Sequence, residues 1–565
     1  MGFYDTLQVA QNKSKDNLTF TDNGAVVYSS IGSEMVDFSF AVNSLRNKSE
    51  QEICERIKKA YAESPEMATR MMFQIGDIRE GKGERHIFNS CMQFMANEHP
   101  EIMKELMKHI PEYTRWDYAI QLATHKNPEI ASAARKMVVA QIREDQKNLA
   151  DGKSISLCAK WMPSIQSKKE EDRKLALKLE KALKVDHKEY RKLLSQLREK
   201  LNIIERKQSL KEEITREDMS NMSSKALLKY SAGMSENKEF QEFMQDVAEG
   251  KETINAGVLT PSDVVHKYTD GDGWGRDEVK DYDLALENMW NNLKDNVKDK
   301  AESTIVVRDG SGSMTCPVSG KSKMSCLEVA TALSIYCAER MPGDLKDKFI
   351  TFSSRPELVN MSHLDNLHDK LELCYEHNDC TNTDLKKTFD LLLNTLKRGN
   401  ISQEEAPKNI LILSDMQFDS CHTMARYGYG SRGQEQLKPL FDTIREEWAD
   451  AGYKLPTLVF WQLNVAKSQY PEVDNELGIV YVSGYNTENL DLVLSGELAK
   501  YTPEKQLEII LSNERYDAIS EAFQVGLRRE QGLPVRVNDR ADVVDMPTGY
   551  EQQEIQRNNR DEQSL

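Results

Sequence analysis

Residues 304–314 read TIVVRDGSGSM, and this stretch decides the fold. Residues 304–307 form an uninterrupted run of β-branched side chains, the pattern of a strand buried on both faces of a parallel sheet. The run leads into Asp309 and a glycine-containing loop with Ser311 and Ser313. Outward from it the pattern repeats: apolar runs at 349–352, 410–413, 457–461 and 479–482 alternate with helical periodicities at 327–341, 385–396 and 439–450. Strands alternating with helices imply right-handed crossovers and a parallel sheet covered on both faces. Ligands of such open sheets gather where loops leave the carboxyl ends of the strands. A carboxylate followed by two hydroxyls there suits a hard divalent cation, because magnesium takes oxygen ligands and keeps some of its waters.

Two further oxygen-bearing residues lie downstream in matching contexts. Thr383, in TNTDL, precedes a helix, and Asp415, in ILILSDMQ, follows an apolar strand. The set Asp309-x-Ser311-x-Ser313, Thr383 and Asp415 resembles the metal-ion-dependent adhesion site of von Willebrand factor A domains. The resemblance implies that the serines and the threonine contact the ion directly or through water and that the aspartates bind it or hold its waters. It further implies Mg2+ or another divalent cation, Mn2+ or Ca2+, with a partner's carboxylate filling an open position. Arg308 and Asp384 adjoin ligands in sequence and are expected to point elsewhere.

From residue 41 to about 295 the periodicity is helical, without a sharp repeat at a fixed period. The clearest helix covers 188–204, where Tyr190, Leu193, Leu194, Leu197, Leu201 and Ile204 form one apolar stripe. The segments IGDIREGKGERHIF, IPEYTRWDYAIQLA, KEYRKLLSQLREKLNIIE and INAGVLTPSDVV resemble an uncharacterised family that joins a helical domain to a von Willebrand A domain. That architecture is similar to the Ro autoantigen, or TROVE, proteins, whose helical repeats form a ring that binds non-coding or misfolded RNA. The expected fold class is therefore α plus α/β: an all-α, HEAT-like helical-repeat domain followed by a Rossmann-like, von Willebrand A sheet domain. The expected division is an arm at 1–40, helical repeats at 41–300, the A domain at 301–500, a single C-terminal helix at 501–530 and a disordered tail at 531–565.

Charge narrows the function classes. The net charge of −17 excludes a uniformly basic coat, and nearly all of it, −14, falls on residues 301–565. Residues 151–207 instead hold 16 basic against 9 acidic side chains, the place to seek a phosphate-bearing partner. The expected RNA contacts are Lys188, Arg191, Lys192 and Arg198, joined by Arg79, Lys82, Arg85 and Arg115; the partner would be structured or single-stranded non-coding RNA. No apolar run is long enough to cross a bilayer, the first ten residues lack a secretory pattern, and nine scattered cysteines read as reduced thiols, so a cytoplasmic protein is expected. The Ro resemblance implies a monomer, and the protein is read as a non-enzyme. The rival reading is a protein-interaction scaffold that captures a partner carboxylate on the ion.

Other motifs read as structural. Gly76 to Lys82 has the spacing of a phosphate-binding loop, but Gly83 stands where Ser or Thr must bind magnesium, so a helix-turn-helix junction is expected. Cys374, His377 and Cys380 lack a fourth zinc ligand, Ser311 and Ser313 lie outside any GxSxG elbow, and Trp116, Trp161 and Trp274 read as core aromatics.

Overall fold

The computed structural model describes residues 18–20, 26–201, 204–210, 212–269, 279–297, 301–318, 322–352, 355–378, 384–416, 440–463, 478–484, 487 and 490–533. The chain divides into two compact units, one of Met1–Cys91 with Ile214–Asp517, the other of Met92–Glu213 with Ala518–Leu565. The expected single helical domain at 41–300 is thus shared between them. The reason lies in where its apolar faces are spent. Helices Pro261–Thr269 and Leu284–Asn291 bury Val264, Val265, Tyr268, Met289 and Trp290 within the sheet-bearing unit, Trp290 edge-on to Tyr336 at 6.4 Å.

The first unit opens with a hairpin of β1 (Leu18–Phe20) and β2 (Val26–Tyr28). Its centre is a six-stranded sheet of β3 (Thr304–Asp309), β4 (Lys348–Phe352), β5 (Glu357–Asn360), β6 (Asn409–Ser414), β7 (Thr457–Gln462) and β8 (Ile479–Ser483), ordered β5-β4-β3-β6-β7-β8. All pairings are parallel except β4 with β5. The five predicted strands are present; β5, a short antiparallel edge, is the addition. Only Val359 of its four residues is buried, so the sequence carries no apolar run to betray it. Every residue of β3 and β6 is buried, because helices cover both faces. On one face lies Cys326–Glu339, started by a Ser325–Glu328 capping box and buried on every side from Cys326 to Ala338. On the other, Phe389, Phe441, Trp448 and Phe460 interlock edge to face, with centroids 5.0 to 6.3 Å apart.

Two expectations at the ends need correction. Part of the supposed arm, Glu34–Phe40, is a helix capped by Ser33, and its Phe40 meets Tyr481 of β8 at 5.1 Å. The single C-terminal helix is two, Pro503–Leu511 and Asp517–Glu530, separated by a 3-10 turn at Glu514–Tyr516. Thr502 and Pro503 start the first as the sequence indicated. Residues 534–565, read as a disordered tail, lie outside the described residues, as do 1–17 of the arm and 270–278 of the connector.

The second unit is helical. Asp186 and Glu189 form a capping box before His187–Lys200, which buries Tyr190, Leu193, Leu194 and Leu197. Each such side chain contributes about 1.5–3 kcal/mol. The predicted continuation to Ile204 is instead a separate helix, Ile204–Leu210. Within this unit, Gly526 of helix Asp517–Glu530 lies on helix Pro100–Leu106. A Cβ at 526 would sit 2.4 Å from Ile102 Cα, so only glycine allows that approach.

Candidate functional site

Adjacent parallel strands bring the carboxyl ends of β3 and β6 together, with Arg308 level with Leu413. Asp309 is 0 % exposed, and Asp415 only 4 %. The Asp309 carboxylate accepts the Ser311 amide at 2.9 Å on one oxygen and the Ser414 hydroxyl at 2.5 Å on the other. Ser311 precedes the short turn Gly312–Thr315, which folds the loop back so that the Ser311 and Ser313 hydroxyls lie 3.1 Å apart. Burial, reinforced by the nearby charge of Asp415, pushes the Asp309 pKa up to about 7. Four of the five predicted residues therefore meet at one corner of the rim, while Thr383 lies outside the described residues.

The donor set fits the ion that the sequence implied. Two buried carboxylates and two hydroxyls are hard oxygen donors, and the Ser311 amide and Ser414 hydroxyl that bond Asp309 are neutral, so a cation there would balance its charge. Ser414 was missed by sequence reading. Its signal is a hydroxyl at the last position of an apolar strand, just before the acid; it also accepts the Met416 amide at 2.9 Å and so pins the turn that follows β6.

Arg308 and Asp384 do point elsewhere. Arg308, fully buried, donates to Thr331 at 3.0 Å, to the Cys374 carbonyl at 3.2 Å and to Asn378 Oδ1 at 2.6 Å. Asp384 caps helix Leu385–Gly399. The zinc pattern dissolves: the Cys374 thiol is buried against Met361 while His377 pairs with Glu357, and Cys380 lies outside the described residues. His368, Asp369 and Glu372 bring ligand atoms within 4.8 Å of one another at the surface, with His368 bonded to Asp369 at 3.0 Å, an ordinary ion-pair arrangement.

The cations predicted to meet RNA have different fates. Lys188, Arg191 and Lys192 are exposed on helix His187–Lys200, and Arg85 is exposed as well. Arg79 is half-buried. Arg115 is turned inward, paired with Asp117 and placed 4.2 Å from the Trp161 ring centroid. Arg198 is half-buried and donates to the carbonyls of Ala159 at 2.9 Å and Met162 at 2.7 Å.

Lys82 is a clear correction: its ammonium is internal, donating to the Ser39 carbonyl at 2.6 Å and to Ser483 Oγ at 2.8 Å, and is not available to phosphate. The turn between helices Pro65–Gly76 and Arg85–Glu98 folds back on the first helix. The Lys82 and Glu84 amides are spent on the carbonyls of Gln74 and Ile75, and a Cβ at Gly81 would sit 2.1 Å from Gln74 O. No cradle for phosphate remains in that turn.

Burial pulls the Lys82 pKa down to about 7, with Glu84 opposing and Arg46 adding to the fall. Between pH 7 and 10.5 the unfolded chain then holds a proton that the folded chain lacks, so stability rises with pH across that window. Urea midpoints of wild type and Lys82→Met measured from pH 7 to 10 are expected to show the rise in wild type alone; parallel profiles would contradict this assignment.

Comparisons with known proteins match two family models along the chain. Residues 303–525 match a domain of unknown function (DUF7788), and residues 21–112 and 166–303 match another (DUF2828). An uncharacterized protein of Acanthamoeba polyphaga mimivirus is 26% identical over 521 residues, covering 85% of each chain. Among solved structures, the RO (RSR) protein of Deinococcus radiodurans aligns with 83% of this chain and 99% of its own, at 13% identity and a TM-score of 0.38. Among the described residues no helix is long and apolar enough to cross a membrane.

Proposed function

We propose that the protein is a non-enzymatic binding protein that holds a divalent cation, Mg2+ in the first instance, at the rim of its sheet and carries RNA on the basic face of its helical unit. The observation that carries the cation site is the buried Asp309 carboxylate, set beside Asp415 and the Ser311 and Ser313 hydroxyls and bonded by neutral donors. Asp309, Ser311, Ser313 and Asp415 would hold the ion, with Thr383 as the fifth residue of the set. The ion supplies a point of positive charge with an exchangeable position. Ser414 keeps the Asp309 carboxylate in place.

The RNA limb rests on Lys188, Arg191 and Lys192, exposed together on one helix within the basic stretch 151–207. Each neutralised phosphate on a single strand contributes about −0.7 to the slope of log affinity against log salt. Changing all three to Gln is expected to weaken binding of a single-stranded RNA and to flatten that slope by about 2. A slope unchanged in the triple variant, or no RNA binding by wild type, would exclude this face. Seven described cysteines carry free thiols, in keeping with a cytoplasmic setting for this role.

A second reading is favoured by the same rim. A partner protein's carboxylate would fill the exchangeable position on the ion, as the acidic residues 301–565 need a cation between them and any acidic partner. Asp309→Ala separates the two: a metal-bridged protein partner is lost, whereas RNA held by the helical unit stays bound.

A further inference from the structure

Helix Pro128–Ala150 of the helical unit is 23 residues long and carries four cations against three acids, so its composition announces no charged face. The fold sorts them. Asp145 is fully buried and accepts from Gln141 at 3.0 Å and from the Ser156 hydroxyl at 2.7 Å. Glu129 pairs with Lys104, and Arg135 donates to the Ala123 carbonyl at 2.8 Å. Lys136, Arg143 and Lys147 remain, all exposed. At 3.6 residues per turn they fall within about 40° of one another, a row about 16 Å long with the exposed, small Ala140 beside it. Glu144, the remaining acid, is half-buried and stands about 60–100° round the helix from each of them.

Among the described residues no ion pair or hydrogen bond holds any of these three side chains. Lys108, Lys153 and Lys174 of the same unit, also exposed, each sit beside an acid: Glu105, Asp151 and Glu170. Arg143 and Lys147 are four residues apart and repel each other, and no acid lies three or four positions from Arg143 to offset this. A local arrangement that works against the folded chain is a mark of a surface made for a partner.

We propose that this row takes the phosphate backbone of double-helical RNA. The inference rests on the RNA reading above and adds a second face and a form of RNA to it. Single strands are held by stacking their bases on aromatic rings, and no residue of this helix is aromatic. A duplex keeps its bases inside and is recognised by shape and by contacts to phosphate and 2′-hydroxyl groups, which a straight row of cations suits. Ala140 leaves room for the backbone to come close to the helix.

Fluorescence anisotropy of the full chain with a blunt RNA duplex, and with one of its strands alone, across a salt series decides it. Lys136→Gln, Arg143→Gln and Lys147→Gln together are expected to weaken duplex binding at least about tenfold. They should also flatten its slope of log affinity against log salt by about 2 to 3, since each neutralised phosphate of a double helix contributes about −0.9. Single-strand binding should keep its slope. The three positions are exposed, and Gln forms helix about as readily as Lys or Arg, so the thermal midpoint should hold. Arg143→Lys, which keeps the charge, should keep the duplex slope. A duplex slope unchanged in the triple variant, or an equal fall for the single strand, would overturn the duplex track. If in that case Lys188→Gln, Arg191→Gln and Lys192→Gln together still flatten the single-strand slope, the RNA reading stands without it; a wild type that binds neither RNA ends both.

Discussion

Asp77→Ala is expected to destabilise the sheet-bearing unit by about 3–5 kcal/mol, the cost of leaving a buried charge without its partner. Asp77 is fully buried, and its carboxylate accepts two bonds from the Arg515 guanidinium, whose side chain is only 7 % exposed. The Tyr516 hydroxyl adds a third bond at 3.3 Å and the Arg79 amide a fourth at 3.0 Å. The turn after helix Pro65–Gly76 is thereby tied to residues 438 and 439 positions away in sequence. Alanine removes the acceptor and leaves the guanidinium to the more distant Glu80 carboxylate at 3.9 Å. Arg515→Met in the Asp77→Ala background is expected to recover much of the loss, since removing both partners leaves neither charge behind. Urea unfolding followed by circular dichroism reads both variants. A single-variant loss below about 1 kcal/mol would mean that the pair is hydrated in solution and of little weight.

The second large effect concerns the rim. A ligand that binds only the folded state stabilises it by about 2.7 kcal/mol at a concentration one hundred times its dissociation constant. Saturating Mg2+ is therefore expected to raise the thermal midpoint of wild type, and Asp309→Ala to abolish the rise. Ser414→Ala tests the neighbour that sequence reading missed. It leaves every proposed ligand in place but removes the bond that orients Asp309. Loss of such an orienting partner typically weakens metal binding about 10–100-fold.

Much of this was visible in the sequence because period and composition carry it. Strands β3, β6 and β7 each carry an apolar stretch because helices cover both their faces, and the same burial brought Asp309 and Asp415 to one edge. What escaped depends on distant partners. Nothing near Asp77 announces Arg515, and nothing near Lys82 announces that Ser39 and Ser483 accept from its ammonium. Gly76, Gly81 and Lys82 imitate a phosphate loop although the glycine at 81 exists to let the turn approach Gln74. The division of the helices between two units escaped for a related reason. An amphipathic stripe states that a face is buried but not against what, so 100–200 and 214–297 read alike.

One titration tests the cation site at the end of β3 most directly. Isothermal calorimetry of Mg2+ into metal-stripped wild type and Asp309→Ala is predicted to give a saturable one-site isotherm for wild type and none for the variant. Identical isotherms, or no heat from either protein while both remain folded, would contradict a cation site at the end of β3.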